Sequence, residues 1–514
     1  MSGLEHFDAI IIGGGPAGLA IGSELSDSFK ILVIDKKKKA SNTQRSWFVP
    51  KFAITEGGAE ELLDPAKKIV FRDDPNQLEP NGVRAFLTKT MGMDPRDFDS
   101  RLEGGYPFLE EHALLDYWAA ILAANEKRTA SRLMFDTIYL DHDVHRTDGP
   151  PGTTPRKHVE VRTNKGSFMA DLLIDASGHE SLIRSKHGFG DEDFYWWSVY
   201  GALVDHPNGL GIDETSKRPL RMGDYLLWGT YRDTNPDLDG SLSAGRPVFE
   251  YEILWEDRKD AQGDPMLPRS FPLILYLRDT KVPEDVMKAE FEHILRKEAT
   301  TKAFHDTKIV ERKWGYYPSG GITQAAAADH VAFVGDAGCW TTPCGWGMGF
   351  IMRNYKSYAR KLKGALQACK VERMDNDPLS AHHLRGFVNL GIHDWNQVLL
   401  DRVATRFLSH APAHAINDFV KVWGDGPGQV PFLYCEFLFT LSISHPQAVK
   451  TAIAVIRKVG LKTLAQLFPP EELLSLAKEA PIFAVDALLT AIQRHTDILD
   501  DWLPELNRSG FDFE

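Results

Sequence analysis

The sequence IIIGGGPAG at residues 10–18 decides how the first part of the chain folds. Its isoleucines end an apolar run typical of a buried strand, and residues 17–25 have the spacing of a helix. Gly13 permits a tight turn, Gly15 lets the backbone approach a pyrophosphate, and Gly18 lets the helix pack closely on the strand. A helix N-terminus carries free N–H groups and partial positive charge, which favour phosphate. The pattern therefore predicts a strand, a glycine turn and a helix that bind a dinucleotide.

An acidic residue follows the glycines at the distance that such a site requires. Residues 31–34 form a second apolar run, and Asp35 comes directly after it, about 20 residues beyond the turn. A carboxylate at this place can accept hydrogen bonds from the hydroxyls of an adenosine ribose. Pro16 and Ala17, which open the helix, complete the expected contacts of this segment. The four lysines at 36–39 are interpreted as a solvated turn.

Two later stretches repeat the pattern of a buried strand followed by small residues. Residues 170–178 read ADLLIDASG, and residues 331–338 read VAFVGDAG before a further glycine-rich turn. A carboxylate after a buried strand suits the ribityl hydroxyls of a flavin dinucleotide, and glycines let backbone amides approach its ring. The expected contacts in this later region are Gly335, Asp336, Pro343, Gly345 and Gly347.

The composition restricts the class of protein. The 514 residues carry a formal net charge of −13, with 43% hydrophobic residues, as in a folded protein of two or three structural units. The acidic balance argues against a sequence-independent nucleic-acid binder, which needs clustered Lys and Arg. Four cysteines cannot form a disulfide scaffold, and none lies in a Cys-x-x-Cys pair suited to zinc. We therefore expect no metal site and a cytoplasmic location.

The C-terminal region contains a candidate for membrane contact. Neither a signal peptide nor an apolar stretch of about 20 residues is visible in the sequence. Residues 451–468 predict an amphipathic basic helix, whose apolar positions are Ile453, Ile456, Val459, Leu464 and Leu467. A helix that packs on the core is the favoured interpretation. Peripheral contact with a membrane through the C-terminal helices stays open as the alternative.

Taken together, the three glycine- and aspartate-bearing segments resemble the FAD-dependent hydroxylase-like superfamily. This group includes aromatic hydroxylases, flavin-dependent halogenases, geranylgeranyl reductases and lycopene cyclases. The resemblance implies that FAD is the cofactor, that the fingerprint glycines and Asp35 hold its ADP half, and that Asp336 binds ribityl. It also makes Arg45, within NTQRSW at residues 42–47, a candidate for the flavin diphosphate. NAD(P)H is a candidate electron donor.

The marks of the halogenase branch are missing from this sequence. Halogenases of this superfamily carry a Trp-x-Trp-x-Ile-Pro motif, whereas Trp196 and Trp197 are adjacent here and Ser198 follows them. No Ile-Gly-Glu-Ser segment follows the second strand either. Halogenation of a metabolite is therefore a minor alternative.

The middle of the chain is more similar to the lycopene cyclases. Residues 200–207 (YGALVDHP), 225–233 (YLLWGTYRD) and 249–254 (FEYEIL) resemble three segments of that family. The family's Met-Asp-Tyr-Arg-Asp aspartate is replaced by Gly229 or Thr230. In its Phe-Glu-Glu-Thr-Ser-Leu segment, the second glutamate is replaced by a tyrosine. These departures put the active-site acid in doubt.

Glu250 and Glu252 are the candidate catalytic residues. Positions two apart along a strand point to the same face, so both carboxylates could share one cavity. Burial and a neighbouring charge could then hold one of them protonated. The resemblance implies that such an acid protonates a polyene double bond. The alternative is an acidic strand edge that faces solvent.

These observations predict an α/β flavoprotein with a Rossmann-like FAD-binding domain, an inserted mixed β-sheet substrate domain and a helical C-terminal region. The expected boundaries are 1–190 and 311–375 for the FAD-binding domain, 191–310 for the substrate domain and 376–514 for the helical region. The predicted function is a lycopene-cyclase-like, FAD-dependent enzyme acting on an apolar organic substrate, such as an isoprenoid or polyene. A flavin-dependent monooxygenase or halogenase of secondary metabolism is the alternative, and a flavoprotein serving only as a binding subunit is disfavoured by the intact fingerprint.

Overall fold

The computed structural model describes most of the chain up to residue 370 and parts of the remainder. The described residues are 4–40, 46–49, 51–70, 85–88, 96–98, 107–147, 156–189, 195–214, 217, 219–222, 224–230, 247–257, 259, 262–319, 327–340, 347–370, 377–381, 383–384, 405, 407, 409–410, 415, 422, 448–460 and 462.

Strands and helices of the described part are numbered in chain order. The strands are β1 (His6–Ile12), β2 (Ile31–Ile34), β3 (Ser46–Phe48), β4 (Ala85–Thr88), β5 (Arg96–Phe98), β6 (Phe108–Glu110), β7 (Arg132–Met134), β8 (Tyr139–Thr147), β9 (Arg156–Thr163), β10 (Gly166–Asp175), β11 (Tyr195–Asp205), β12 (Asp224–Thr230), β13 (Val248–Trp255), β14 (Arg269–Arg278), β15 (Lys308–Ser319), β16 (Ala327–Ala328) and β17 (Val331–Phe333). The helices are α1 (Pro16–Leu25), α2 (Lys51–Glu56), α3 (Glu111–Ala124), α4 (Glu126–Thr129), α5 (Leu182–Lys186), α6 (Glu284–Lys297), α7 (Gly347–Lys370) and α8 (Ala448–Val459).

A parallel sheet forms the first layer, with the strand order β7-β2-β1-β10-β17. Its central strands are apolar runs whose residues are almost fully buried, as expected when helices cover both faces of a parallel sheet. Helices α1, α3 and α7 pack on one another and contribute to the same core. The predicted strand, glycine turn, helix and second strand are β1, α1 and β2.

An antiparallel meander extends this sheet. Strands β8, β9 and β10 pair in turn, so that β10 is antiparallel to β9 and parallel to both β1 and β17. The meander therefore comprises β8, β9 and β10 and does not include β7. Strand β7 pairs instead in parallel with β2, because Leu133 and its neighbours continue the buried parallel sheet beside Val33.

The second layer is a mostly antiparallel sheet with the order β15-β11-β14-β13-β12-β4-β5. Helix α6 packs on one of its faces and forms a separate core with β11, β13 and β14. Strands β4 and β5 enter this sheet from within residues 1–190. Strand β15 pairs with β11 from Lys308 to Ser319, so the second layer extends past the boundary expected at residue 310.

These features confirm the predicted fold class, an α/β protein with a Rossmann-like layer and an inserted mixed sheet. Most of the predicted helical region after residue 376 lies outside the described residues. Within it, α8 ends at Val459, inside the predicted helix 451–468, and Gly460 follows with a φ of +86°. Val459 is buried against the second sheet, whereas Ile453 and Ile456 are 44% and 40% exposed. Among the described residues, none of the helices combines the length and apolar character that a membrane crossing requires.

Candidate functional site

A cavity of about 970 Å³ opens at the carboxyl ends of β1, β2, β10 and β17 and reaches the facing strands of the second sheet. This edge of a parallel sheet is where ligands bind in doubly wound folds. Residues of all three glycine- and aspartate-bearing segments line it, together with residues of β11, β13, β14 and β15. The predicted contacts found in its wall are Gly13, Gly15, Pro16, Ala17, Asp35, Gly335, Asp336, Gly347, Glu250 and Glu252.

The glycine turn has the geometry that its sequence predicts. Gly13 has a φ of +110°, and a Cβ on it would lie 2.2 Å from the carbonyl oxygen of Ala176. Gly18 lies behind the wall, where a Cβ would come within 1.9 Å of the Gly13 carbonyl oxygen. At Gly15 a Cβ would meet nothing within 4 Å, so the backbone here faces open space. No side chain caps α1 at Gly15, which leaves N–H groups of its first turn for a ligand.

Asp35 joins the second strand to the glycine turn. Its side chain is 4% exposed, and Oδ2 accepts a hydrogen bond of 2.6 Å from the backbone N–H of Gly14. Oδ1 accepts from the backbone N–H of Lys37 at 2.7 Å, and the Lys37 ammonium lies 3.8 Å from the carboxylate. The lysines at 36–39 are exposed, as predicted for a solvated turn, but Lys36 and Lys37 also reach the cavity wall.

The second segment supports the cavity through a buried carboxylate. Asp175, fully buried at the end of β10, accepts hydrogen bonds from the backbone N–H and hydroxyl of Ser177 and from the hydroxyl of Ser181. Burial raises the pKa of Asp175, and these hydrogen bonds oppose the rise. The network fixes the turn at Ser177 and Gly178, both of which line the cavity. The sequence signal for this network is a pair of serines, two and six residues after Asp175. The sequence analysis did not assign a role to them.

The third segment closes the cavity beside α1. Gly335 has a φ of +61°, and a Cβ on it would lie 2.9 Å from the Ala17 side chain. Gly347 opens α7 close to Asp336, whose Oδ1 would lie 3.8 Å from a Cβ at Gly347. Arg45, Pro343 and Gly345 lie outside the described residues, and their predicted roles stay predictions.

Glu250 and Glu252 lie in the wall opposite the glycine turn. They are on β13, an inner strand paired with β12 and β14, and both line the cavity, as their spacing predicts. Glu252 is 7% exposed, so the alternative of a solvent-facing strand edge does not describe this strand. In register with them on β14 are Leu273 and Phe271, which also line the cavity. The two carboxyl groups therefore lie beside apolar side chains of β14.

Strand β15 supplies cavity residues that sequence reasoning missed. These residues lie on consecutive positions and are Lys313, Trp314, Gly315, Tyr316 and Tyr317. The Tyr316 hydroxyl donates a hydrogen bond of 2.8 Å to the carbonyl oxygen of Val282, which fixes its ring at the wall. Placing β15 in the second sheet required its pairing with β11, and no local pattern in the sequence indicates that partner.

A chain of polar side chains leads from the cavity into the meander. The hydroxyl of Tyr139, a lining residue, lies 2.6 Å from Nδ1 of His142, and Nε2 of His142 lies 3.0 Å from Nε2 of His187. Burial lowers the pKa of His142 to about 4, helped by the Lys186 ammonium. Burial likewise raises the pKa of Tyr139. Both groups are therefore neutral near pH 7, and they support the wall without adding charge to it.

The sequence was compared with protein-family models and with curated proteins. No protein-family model matches the chain. Digeranylgeranylglycerophospholipid reductase 1 of Methanothermobacter thermautotrophicus is 23% identical over 350 residues, which are 66% of this chain and 72% of the relative.

Several solved structures superpose on most of the chain. A geranylgeranyl bacteriochlorophyll reductase-like protein from Thermoplasma acidophilum has a TM-score of 0.59 at 14% identity, over 91% of this chain and 100% of that one. A flavoprotein/dehydrogenase from Cytophaga hutchinsonii has a TM-score of 0.53 at 12% identity, over 88% and 98%. A variant of PqsL from P. aeruginosa has a TM-score of 0.51 at 14% identity, over 80% and 97%.

These similarities confirm the resemblance stated from the sequence at the level of the fold. The chain shares its fold with the geranylgeranyl bacteriochlorophyll reductase-like protein and with the flavoprotein/dehydrogenase. The curated relative and one of the superposed structures both carry names of geranylgeranyl-type reductases. None of these four proteins is a lycopene cyclase, so that finer resemblance keeps only its support from the sequence.

Proposed function

We propose that the protein is an FAD-dependent enzyme of the reductase and monooxygenase type, acting on an apolar organic substrate. The observation that carries this proposal is the single cavity in which the three dinucleotide-type segments meet an apolar wall with two carboxyl groups. The predicted FAD cofactor and enzymatic activity are also supported by the curated reductase relative and by the superposed flavoproteins.

The residues of the cavity fit FAD. The open space at Gly15 and the uncapped first turn of α1 suit a pyrophosphate, and Asp35 keeps carboxylate oxygens at the wall for ribose hydroxyls. Gly335 and Asp336 would hold the flavin half. Bound there, FAD supplies the redox chemistry that protein side chains lack.

The facing wall indicates the substrate class. Phe271, Leu273 and Leu275 of β14 and Val199 of β11 give it an apolar surface, and three aromatic residues of β15 border it. An apolar chain gains free energy from burial against such a surface, at about 25 cal/mol per Å². We infer reduction of a double bond in an isoprenoid-like substrate, since the curated relative is a digeranylgeranylglycerophospholipid reductase.

The glutamates of β13 supply a proton in this proposal. Burial and a nearby carboxylate both favour the protonated form of a carboxylic acid. Glu252, the buried member of the pair, is placed to hold a proton at the cavity. Saturation of a double bond requires such a proton at one carbon. The same arrangement keeps a cyclase-like reaction as a second candidate, since protonation of a polyene needs the same acid.

Purification of the full chain with FAD tests the proposal. We expect the visible absorbance of oxidised flavin to copurify or to be reconstituted at one equivalent. Anaerobic turnover of an isoprenoid lipid by the chemically reduced enzyme, with oxidation of the flavin, indicates a reductase. A requirement for O2 and NAD(P)H indicates a monooxygenase, and product without flavin oxidation indicates a cyclase. A chain that binds no flavin after reconstitution contradicts the proposal.

A further inference from the structure

Three potential metal ligands meet on adjacent strands of the first sheet. They are His6 at the start of β1, His158 on β9 and Asp171 on β10. Val159 of β9 pairs with Ala170 of β10 in the antiparallel ladder. The next positions on the two strands, His158 and Asp171, therefore lie opposite each other. His6 pairs with Met169, two residues from Asp171, so His6 and Asp171 are diagonal neighbours on one face.

The donor atoms form a nearly equilateral triangle. Nε2 of His6 lies 3.4 Å from Nδ1 of His158 and 3.2 Å from Oδ1 of Asp171, and Nδ1 of His158 lies 2.9 Å from the same oxygen. Ligands at about 2.0–2.1 Å from a tetrahedral zinc ion are separated by about 3.3 Å. The three atoms therefore match one face of that tetrahedron without movement of the backbone.

The surroundings of the triangle leave room for a fourth ligand. The His6 side chain is 45% exposed, while those of His158 and Asp171 are 19% and 18% exposed. Water can therefore approach from the His6 side, as at zinc sites with three protein ligands. The backbone at Asp171 is held by Nδ1 of His330, which lies 2.6 Å from its carbonyl oxygen. Ligands on paired strands are held more firmly than ligands on loops.

We propose that His6, His158 and Asp171 bind a divalent transition metal ion, with Zn²⁺ the best-suited ion. Two imidazoles and one carboxylate suit zinc and its neighbours in the first transition row, whereas magnesium prefers oxygen ligands alone. This inference goes beyond the sequence prediction, which expected no metal because it considered cysteine spacing. The ligands are separated by 152 and 13 residues, so no local motif marks them.

The position of the site indicates a structural role. His6 and Ile12 are the two ends of β1, and six residues at about 3.3 Å each separate them by about 20 Å. The metal site and the cavity thus lie at opposite ends of the strands of the parallel sheet. A bound ion links β1 to the meander strands β9 and β10, and we expect it to raise thermal stability without entering the flavin chemistry.

The test is zinc binding by tag-free full-length protein that has been stripped with a chelator. Isothermal titration, or competition with a chromogenic chelator, measures affinity for Zn²⁺, with Mg²⁺ as the comparison ion. Co²⁺ provides a visible absorption spectrum that identifies a four-coordinate site. We expect one saturable Zn²⁺ site, a higher melting temperature in Zn²⁺, and binding at least 10-fold weaker in His6→Ala and Asp171→Asn.

His112→Ala is the matched control. His112 is 46% exposed and lies 3.2 Å from a carboxylate oxygen of Glu110, and within the described residues this histidine–carboxylate pair belongs to no group of three potential ligands. Its loss should leave zinc binding and the melting temperature in Zn²⁺ unchanged. The proposal is overturned if the native chain shows no saturable site, if His6→Ala and Asp171→Asn bind Zn²⁺ as tightly as the native chain, or if His112→Ala weakens binding equally.

Discussion

At the scale of single residues, Asp35 has two functions that one carboxylate serves together. It accepts two backbone N–H groups, from Gly14 and Lys37, and it lines the cavity where a ribose is expected. Asp35→Asn replaces one acceptor oxygen by an NH₂ group, which then faces a backbone donor. We expect the Kd for FAD to rise about 10-fold or more, because a ribose hydroxyl bound there loses an acceptor oxygen, and a buried donor without a partner costs about 1–3 kcal/mol.

Flavin fluorescence titration of the stripped protein measures this change. Asp143→Asn is the control, because Asp143 is 48% exposed and pairs with Arg162 on the meander, away from the cavity wall. An unchanged affinity in Asp35→Asn, or an equal loss in both variants, contradicts the role given to Asp35.

The role of Glu252 as a catalytic acid can also be tested with a single substitution. Glu252→Gln keeps the shape of the side chain and removes the carboxyl group that holds the proton. We expect turnover to fall by about 100-fold or more, as for loss of a general acid, while FAD content stays equal to that of the native enzyme. Glu250→Gln should show which of the two carboxyl groups carries the proton.

Glu256→Gln, at an exposed position just after β13, serves as the matched control. It should keep both turnover and flavin content. Full activity in both Glu250→Gln and Glu252→Gln removes these residues from the mechanism, whatever the substrate is.

At the scale of elements, the contact between α1 and the glycine turn can be tested with two glycines. Gly18→Ala places a methyl group 1.9 Å from a backbone oxygen of Gly13, so the helix must move away from β1. We expect a loss of roughly 1–3 kcal/mol in the free energy of unfolding, as in other overpacked interiors. FAD affinity should fall with it.

Gly364→Ala should have the opposite effect on stability, for a different physical reason. Gly364 is an exposed position inside α7, and a Cβ there would meet nothing within 4 Å. The substitution should stabilise the protein by about 0.5–1 kcal/mol, because alanine loses less backbone entropy in a helix. Denaturant unfolding measures both variants, and equal effects of the two substitutions contradict the packing described for α1.

The elements also show why the sequence predicted some parts and not others. The series β1, α1 and β2 follows from local pattern, because strand, glycine turn and helix are consecutive in the chain. Strand β15 could not be assigned in this way, since its place depends on pairing with β11, about one hundred residues earlier. The sequence therefore predicted the dinucleotide side of the cavity and Glu250 and Glu252, but missed the aromatic residues of β15.

At the scale of the whole molecule, buried histidines predict how stability depends on pH. His206 is 1% exposed, and its Nε2 lies 2.7 Å from the Ser270 hydroxyl. Burial lowers the pKa of His206 to about 4, whereas an unfolded chain has a histidine pKa near 6.5. Between these values the unfolded state binds more protons, so stability is full above pH 6.5 and falls as the pH decreases toward 4.

Each such histidine contributes on the order of 3 kcal/mol over this range, at 1.36 kcal/mol per pKa unit. The melting temperature should therefore decrease between pH 6.5 and 4, and the decrease should be smaller in His206→Gln, which does not titrate. His305→Gln is the control, because His305 is only partly buried and its Nε2 lies 2.9 Å from the backbone carbonyl oxygen of Glu298. Equal slopes in His206→Gln and the native protein contradict the assignment.

Also at the scale of the whole molecule, the cavity and the proposed metal site differ in how far the sequence predicts them. The cavity at one edge of the parallel sheet was predictable because its residues carry the motifs of a known superfamily. The proposed metal site at the other edge was not, because histidines at positions 6 and 158 become neighbours only when β9 and β1 both pair with β10. A single strand, β10, thus determines both sites.

The construction of the cavity has a consequence for biosynthesis. Its wall needs Gly13 near one end of the chain and Gly347 in a segment made much later. At about 5–20 residues per second, a ribosome takes roughly 20–70 seconds to reach that glycine. During this interval the nascent chain has the turn proposed to bind phosphate but lacks the last segment of the cavity wall. We therefore expect a product that ends before Gly347 to be colourless.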